Sequence, residues 1–173
     1  MDILPQFSRI TTFVFDMDGV LTDGTVWVMP DGEWVRRMHI RDGYVLQLAV
    51  KKGYQVWVIT GSSSTPVAQR LHKLGITEVH ERVKDKASLL KQLMQQYAVA
   101  AEQVLFMGDD MPDLNAMKLV GLSACPKDAA RDILEMAAYI SPWQGGMGCV
   151  RDVIEKVMRI QGNWSEDISV AST

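Results

Sequence analysis

Two aspartates follow a short apolar run near the start of the chain. The residues Asp16-Met17-Asp18-Gly19 come directly after 12–15, which are mostly apolar. Carboxylates two residues apart on an extended backbone point to the same side, and Gly19 permits a tight turn after them. One such carboxylate can attack an electrophile while the other acts as general acid and base, and the pair also suits Mg²⁺. A simple turn after a strand is the alternative, because Asp-Gly is common in turns.

A second acidic cluster follows a later apolar run. Asp109, Asp110 and Asp113 come after residues 103–107 and fall within five positions of one another. Carboxylates this close repel one another unless a cation lies between them. Capping of the following helix accounts for one of the three and leaves the others unexplained. The cluster is therefore the strongest local indication of a metal site.

Two weaker signals lie between the acidic clusters. Thr60-Gly61 follows the apolar run 55–59, where a hydroxyl and free backbone amides before a helix can bind a phosphate. The serines that come next would also serve as an ordinary helix cap. Lys86 begins a helical stretch and could neutralise phosphate charge, although a solvated surface lysine is the simpler interpretation of that residue alone.

These polar residues depend on the elements that precede them. Near-continuous apolar runs indicate strands buried on both faces, and helical patterns alternate with them. The alternation predicts an α/β fold, a doubly wound, Rossmann-like parallel sheet flanked by helices, in one domain over 1–173. Ligands of such sheets bind at the carboxyl ends of the strands. Helices are predicted at 42–52, 64–74, 86–97, 112–119, 128–137 and 148–160, with further short strands near 78–80, 120–124 and 138–140.

One segment interrupts the alternation of strand and helix. Two strand-like stretches within 25–40 are joined by Pro30-Asp31-Gly32, which predicts a β-hairpin flap after the first strand. Its tryptophans, Trp27 and Trp34, are too apolar for a hairpin left in water, so we expect them to pack on something, such as another subunit. The polar tail 164–173 is expected to be mobile.

Composition excludes several classes of function. The chain has 173 residues and a net charge of −3, which offers no electrostatic footprint for nucleic acid or an anionic membrane. Its apolar runs are shorter than the ~20 residues of a membrane span, and the first residues lack the apolar stretch of a signal peptide. Two cysteines are too few for a disulfide framework, so a reduced cytoplasmic setting is expected.

The order of the polar motifs resembles the haloacid dehalogenase-like superfamily of phosphohydrolases over nearly the whole chain. The motifs that carry the resemblance are Asp16-Met17-Asp18-Gly19, Thr60-Gly61, Asp85-Lys86 and Gly108-Asp109-Asp110-Met111-Pro112-Asp113. A closer resemblance, to a capless branch of that superfamily, rests on the hairpin and on Ile40-Arg41-Asp42-Gly43-Tyr44 and Gly145-Gly146-Met147-Gly148. No segment is long enough for a separate cap domain, which agrees with that branch.

The resemblance implies a Mg²⁺-dependent phosphomonoester hydrolase that works through an aspartyl phosphate. The implied substrate is 3-deoxy-D-manno-octulosonate 8-phosphate, an eight-carbon sugar acid of lipopolysaccharide biosynthesis. A related nine-carbon sugar acid phosphate, or another sugar phosphate, is the alternative. By the same resemblance Asp16 is the nucleophile and Asp18 the general acid and base, while Thr60 and Lys86 hold the phosphoryl group.

The resemblance also implies which residues bind the metal and the substrate. Mg²⁺ is expected on Asp16, the backbone carbonyl of Asp18, and Asp109. Asp110 is expected to support the metal ligands, and Asp113 to orient Lys86. The expected substrate contacts are Asp18, His39, Ile40, Arg41, Asp42, Gly43, Gly61, Arg70 and Lys86.

The chain departs from that branch at three positions. His39 stands where members often carry Asn, and Gln47 and Ser62 stand where many carry Arg. Loss of a positive charge near a carboxylate or phosphate can change substrate preference. Members that act on the nine-carbon substrate tend to carry Glu at the position of Ser62, so its absence favours the eight-carbon one. The branch also implies a homotetramer with packed hairpins, in which Arg70 could serve a neighbouring subunit's site.

Two other classes of protein remain as alternatives. A receiver-like phospho-signalling module also combines an acidic pocket, Mg²⁺, a threonine and a lysine. In receivers, however, the threonine and lysine come late in the chain, whereas here Asp109 follows Thr60 and Lys86. A protein with only an interaction role would leave the polar residues at successive strand ends unexplained.

Overall fold

Six parallel strands form one sheet in the computed structural model, which describes residues 3–164. The predicted mobile tail, 164–173, lies outside the described residues apart from Trp164. A separate pair of short antiparallel strands, β2 and β3, makes the hairpin. The strands are β1 (Thr12–Phe15), β2 (Trp27–Val28), β3 (Trp34–Val35), β4 (Gln55–Ile59), β5 (Glu78–His80), β6 (Val104–Met107), β7 (Leu122–Cys125) and β8 (Tyr139–Ile140).

Helices cover both faces of the sheet, as the apolar strands require. Every residue of β1, β6 and β7 is buried, because one face packs against α1, α2, α3 and α7 and the other against α4, α5 and α6. The helices are α1 (Leu4–Phe7), α2 (Ile40–Lys51), α3 (Thr65–Lys73), α4 (Lys86–Gln96), α5 (Leu114–Met117), α6 (Arg131–Met136) and α7 (Cys149–Ile160).

The strand order confirms the predicted Rossmann-like fold. The sheet runs β5-β4-β1-β6-β7-β8, which is the order 3-2-1-4-5-6 when only its own strands are counted. Receiver modules have the order 2-1-3-4-5, so the receiver-like alternative is wrong on topology. The direction of winding reverses between β1 and β6, and a crevice for ligands forms outside the carboxyl ends of strands at such a reversal.

Register brings the predicted site residues to this crevice. Phe15 pairs with both Val58 and Met107, so β1, β4 and β6 end at nearly the same level. A tight turn follows β1, and Gly19 adopts φ +92 within it, as the Asp-x-Asp-Gly motif predicts. The residues that follow the three strands therefore meet at one edge.

The secondary structure differs from its sequence prediction mainly after β6. The predicted helix over 112–119 is too long, because a 3-10 turn occupies Met111–Asp113 before α5 begins. Pro112 has no backbone N–H to donate, which suits this first turn. Helix α6 is likewise shorter than the predicted 128–137.

The hairpin forms where it is predicted, but with little ladder of its own. Only Trp27–Val35 and Val28–Trp34 pair across it, and a single bridge joins Thr22 to Met38 at its base. Trp27 is 72% exposed and Trp34 is 58% exposed. The described residues contain no separate cap domain, and none of their helices is both long and apolar enough to span a bilayer.

Two residues other than glycine adopt left-handed backbone conformations within the described range 3–164. Arg82 has φ +57 and lies between β5 and α4, whereas Ala98 has φ +52 and lies just after α4. A side chain in this conformation crowds its own backbone and costs about 1–2 kcal/mol. Glycine avoids that penalty, although it also gains freedom in the unfolded chain.

We expect Ala98→Gly to raise the free energy of unfolding by up to about 1 kcal/mol, because it relieves the left-handed backbone. Urea denaturation checks this, with Ala100→Gly as the matched control. Ala100 has an ordinary φ of −75, so its replacement removes no strain and should lower stability. A loss of stability in Ala98→Gly as large as the control's would contradict the prediction.

Candidate active site

The carboxyl ends of three neighbouring strands bring the predicted catalytic residues together. Asp16 follows β1, Thr60 follows β4 and Asp109 follows β6, while Lys86 is the first residue of α4. The side chains of Asp16, Thr60 and Lys86 are buried, and Asp109 is half-buried. Residues far apart in sequence therefore form one compact polar cluster at the topological reversal.

Lys86 joins two of the buried carboxylates. Its Nζ donates to Asp16 Oδ1 at 2.7 Å and to Asp113 Oδ1 at 2.6 Å. Burial by itself would lower the pKa of Lys86, but the two carboxylates reverse this and raise it, so the ammonium persists. Asp113 also accepts from the backbone N–H of Asp109 at 3.1 Å, which fixes it against the loop after β6.

The acidic cluster suits a hard divalent cation. One carboxylate oxygen each from Asp16, Asp109 and Asp113 lie within 4.8 Å of one another. Burial, followed by repulsion from Asp16 and Asp113, raises the pKa of Asp109 to about 8. Burial and repulsion from Asp113 raise the pKa of Asp16 to about 6, although Lys86 opposes this. One lysine does not balance three carboxylates, and oxygen donors of this kind suit Mg²⁺.

Glycine at position 19 allows the metal cluster to form. A Cβ atom there would lie 2.0 Å from Asp109 Oδ2, far inside contact distance. The backbone of the turn after β1 can therefore approach Asp109 only because Gly19 has no side chain. The Asp-x-Asp-Gly motif thus supplies one carboxylate of the cluster, Asp16, and the glycine that lets Asp109 come close.

Asp18 faces away from the metal cluster, toward the hairpin. Arg36 Nε donates to its Oδ1 at 2.6 Å and Arg36 Nη2 donates to its Oδ2 at 3.1 Å. Ser62 Oγ donates to Oδ2 at 2.7 Å. Burial opposes ionisation of Asp18, but the hydrogen bonds from Arg36 and Ser62 outweigh it and lower the pKa. The two aspartates of the motif therefore occupy different environments.

The loop after β4 connects Thr60 to Asp18. The backbone N–H of Ser62 donates to Thr60 Oγ1 at 3.2 Å, and the two hydroxyl oxygens are 3.1 Å apart. Ser62, one of the departures from the capless branch, is thus in direct contact with Asp18. The neighbouring Gly61 lies beside the backbone carbonyl of Val83, where an added Cβ would still fit at 3.6 Å.

A cavity of about 830 Å³ opens beside Asp18, between the hairpin and the start of α3. Arginine side chains from three separate segments line it, together with serine hydroxyls and an apolar wall from the hairpin. Two of its residues, Arg36 and Ser62, are the ones that bind Asp18. The lining includes Trp34, Arg36, Ile40, Gly61, Ser62, Ser63, Arg70 and Arg82.

The predicted substrate segment 39–43 is divided between two places. Ile40 lines the cavity beside Asp18, whereas His39 and Arg41 line a second cavity of about 810 Å³ next to α7. Asp42 and Gly43 are buried, and Asp42 Oδ1 accepts from the backbone N–H of Arg151 at 2.8 Å. Asp42 therefore ties α2 to α7, and only Ile40 of this segment lines the cavity that Arg36 and Ser62 also line.

Arg70, Gln47 and Asp110 are the remaining residues that the sequence singles out. Arg70 lines the cavity of its own chain, on the same wall as Ser62. Gln47 lines neither of the two cavities. Asp110 is exposed and accepts from the backbone N–H of Met111 at 2.8 Å, so the structure uses it as a cap and leaves it outside the metal cluster.

Sequence reasoning missed Arg36 and Arg82. Arg36 is next to another arginine on an exposed hairpin, and nothing local distinguishes the two. Arg82 lies in a mixed-charge run whose left-handed backbone leaves no sequence signal. Only the tertiary structure brings these two guanidinium groups to the cavity.

Known proteins are similar to this chain over nearly its whole length. A family model described as haloacid dehalogenase-like hydrolase matches residues 71–150. The 3-deoxy-D-manno-octulosonate 8-phosphate phosphatase KdsC of Escherichia coli (strain K12) is 33% identical over 165 residues, which cover 95% of this chain and 88% of the relative. KdsC of Salmonella typhi is 32% identical over 164 residues, covering 95% and 87% of the two chains.

Solved structures agree with the sequence relatives. The 3-deoxy-D-manno-octulosonate 8-phosphate phosphatase of Yersinia pestis superposes with a TM-score of 0.91 at 30% identity, covering 93% of this chain and 87% of that one. The Moraxella catarrhalis enzyme of the same name, solved with a magnesium ion, a phosphate ion and a KDO molecule, gives 0.90 at 30% identity, with coverage of 93% and 92%. The chain therefore belongs to the haloacid dehalogenase-like hydrolases, in the family of the KdsC phosphatases.

Proposed function

We propose that this protein is a Mg²⁺-dependent phosphatase that hydrolyses 3-deoxy-D-manno-octulosonate 8-phosphate in lipopolysaccharide sugar biosynthesis. The observation that carries the proposal is the buried Asp16, held by Lys86 inside an acidic cluster that suits a divalent cation. Family membership adds the substrate class, since the relatives named above carry this substrate in their names. The cavity beside Asp18 offers room for the sugar acid.

The first half of the reaction transfers the phosphoryl group to Asp16. Its free carboxylate oxygen attacks phosphorus, the bond from phosphorus to the sugar oxygen breaks, and Asp18, which must be protonated at the start of this step, gives its proton to that oxygen. Asp16 Oδ1 already accepts from Lys86, which leaves Oδ2 for the attack. Mg²⁺ held by Asp16, the Asp18 carbonyl and Asp109 would neutralise phosphate charge.

The second half of the reaction releases phosphate. Asp18, now a carboxylate, takes a proton from a water molecule that attacks the aspartyl phosphate, and the bond from phosphorus to the Asp16 oxygen breaks. Thr60 and Lys86 hold the phosphoryl oxygens in both halves. Asp113 keeps Lys86 in place through its 2.6 Å hydrogen bond. Fixed positive charge of this kind stabilises the transition state because it needs no rearrangement during the reaction.

A screen of phosphorylated compounds tests the proposed function. We expect hydrolysis of 3-deoxy-D-manno-octulosonate 8-phosphate with Mg²⁺, and its loss when a chelator removes the metal. The nine-carbon sugar acid phosphate and a simple pentose phosphate belong in the same screen. A preference for the nine-carbon compound would identify the alternative substrate, and no release of phosphate from any of them would contradict the proposal.

Replacing each aspartate of the motif should stop a different part of the reaction. Asp16→Asn keeps the volume of the side chain but removes the attacking oxygen, so turnover should vanish. Asp18→Asn removes the general acid and base and should lower kcat by about 10²–10⁴-fold. Steady-state assays check both variants, with circular dichroism to show that they fold. Undiminished turnover in folded Asp16→Asn would reject Asp16 as the nucleophile.

The acidic cluster predicts a link between pH, Mg²⁺ and stability. The pKa of Asp16 is raised to about 6 and that of Asp109 to about 8, both above the ordinary aspartate value of 3.8. The folded state therefore holds more protons than the unfolded state, and the metal-free protein should lose stability as pH rises from about 4 to 8. Mg²⁺ binds the ionised cluster, so its stabilising effect should grow over the same range.

Thermal unfolding with and without Mg²⁺ at pH 5 and pH 8 measures this link. Asp109→Asn should raise the Tm of the metal-free protein at pH 8 and abolish the response to Mg²⁺, because it removes one repelling carboxylate and a metal ligand. Asp132→Asn, an exposed aspartate on α6, is the control and should keep the response. An equal Mg²⁺ response at both pH values would refute the link.

The proposal also covers the oligomeric state of the protein and its cellular compartment. We propose a homotetramer whose hairpins pack together, because the exposed Trp27 and Trp34 have no cap domain over them. Packed hairpins would also exclude water from the neighbouring site, which strengthens its electrostatic interactions. The buried free thiols of Cys125 and Cys149 suit a reduced cytoplasmic setting.

Replacing Trp27 and Trp34 together with Ser should dissociate the assembly. Each tryptophan can bury ~150–250 Å², so the double variant loses a large apolar contact. Light scattering and kinetics on the same samples check this. Trp143→Ser, an exposed tryptophan outside the hairpin, is the control and should leave the mass unchanged. A monomeric wild-type protein with full activity would contradict the proposed tetramer.

A further inference from the structure

Arg36 is a buried arginine on an otherwise exposed hairpin. Its side chain is only 3% exposed, whereas that of its neighbour Arg37 is 67% exposed and pairs with Asp23. Arg36 binds both oxygens of Asp18 and also lines the cavity beside it. The guanidinium thus stands between the catalytic acid and the space proposed for the sugar acid.

Four hydrogen bonds reach the carboxylate of Asp18, two on each oxygen. Oδ1 accepts from Arg36 Nε at 2.6 Å and from Thr22 Oγ1 at 3.4 Å, while Oδ2 accepts from Arg36 Nη2 at 3.1 Å and from Ser62 Oγ at 2.7 Å. A carboxylate has about four lone-pair positions. With all of them taken, Asp18 has none to direct at a leaving oxygen or a water molecule until a donor leaves.

Arg36 is the donor whose departure frees both oxygens. A guanidinium buried without an anion is strongly unfavourable, so Arg36 leaves Asp18 only if another anion replaces it. A second carboxylate is the natural replacement, since arginine binds it with the same two parallel hydrogen bonds. The cavity favours an anion there, because Arg70 and Arg82 line it as well and outnumber Glu33, the one acidic residue of its lining.

We propose that Arg36 is a specificity-determining residue that exchanges Asp18 for the carboxylate of the sugar acid. The exchange rests on the proposed function and deepens it, because it makes recognition of the carboxylate a condition for catalysis. A sugar phosphate without a carboxylate leaves Arg36 on Asp18 and reacts slowly. Ser62 and Thr22 remain on Asp18 after the exchange and keep its carboxylate aimed at the crevice.

A comparison of two substrates tests the exchange. We measure kcat/KM for 3-deoxy-D-manno-octulosonate 8-phosphate and for arabinose 5-phosphate, which has no carboxylate. Arg36→Gln should lower the first by about a hundredfold, the size of effect expected for a lost bidentate charged pair, and leave the second equal or higher. Arg37→Gln is the matched control and should keep the ratio of the two values. Arg36→Lys keeps the positive charge but not the two parallel N–H donors. Its kcat/KM for the sugar acid phosphate should therefore lie between the values of the wild-type protein and of Arg36→Gln.

A second test asks whether a separate carboxylate compound activates the wild-type protein. Pyruvate added to the wild-type protein should increase hydrolysis of arabinose 5-phosphate severalfold and with saturation, because it draws Arg36 away from Asp18. The Arg36→Gln protein should not respond. Acetamide, which has similar size but no charge, is the control compound.

The outcomes separate this proposal from the proposed function. If the wild-type protein hydrolyses neither ester with Mg²⁺, the proposed function fails. If it hydrolyses both, the Arg36→Gln protein decides. An unchanged ratio of the two kcat/KM values, including an equal loss on both substrates, overturns the exchange and would make Arg36 a support for Asp18 alone. A lack of response to pyruvate in the wild-type protein overturns it as well.

Discussion

The rest of the site depends on the ion pairs that the buried ammonium of Lys86 makes with Asp16 and Asp113. This ammonium holds Asp16 and Asp113 within hydrogen-bonding distance of one atom, Nζ, in a region that water barely reaches. Removing Lys86 would leave these carboxylates uncompensated in the interior, which is strongly destabilising. With Asp109 added, negative charges still outnumber the lysine, so the fold has built a place that a divalent cation completes. The residues proposed as nucleophile, phosphate site and metal site thus share one set of contacts.

Such a cluster needs rigid supports, and the sheet provides them. The central strand β1 is hydrogen-bonded on both sides to parallel neighbours, so Asp16 directly follows a strand that is supported on both edges. Close approach of the loops requires glycine at Gly19 and at Gly108, where a Cβ atom would lie 2.4 Å from that of Asp113. The polar groups are therefore fixed in place before any substrate arrives, which is the condition for strong electrostatic stabilisation.

Sequence predicts the parts of this structure that leave a local signal. Apolar runs mark the strands, and carboxylates directly after them mark the crevice, so Asp16 and Asp109 could be found from spacing alone. Lys86 is ambiguous by itself and gains meaning only from the order of the motifs. The 39–43 segment could not be resolved, because neighbouring helical residues point about 100° apart and so reach different surroundings. Arg36 was missed because its contact with Asp18 spans eighteen residues and follows from how the hairpin folds back.

The hairpin lines the cavity of the candidate site and also contacts Asp18 through Arg36. Its own ladder joins only two residue pairs, too few to hold a ribbon in water. Its attachment to the domain therefore rests on the bridge between Thr22 and Met38 and on two ion pairs, of which Arg36 with Asp18 is more buried than Arg37 with Asp23. Any force that moves the hairpin, from substrate on its inner side or from another subunit on its exposed tryptophans, acts on Asp18 through Arg36. In a fold without a cap domain, movement of the hairpin over the site can in this way control whether Asp18, the proposed general acid, is free to act.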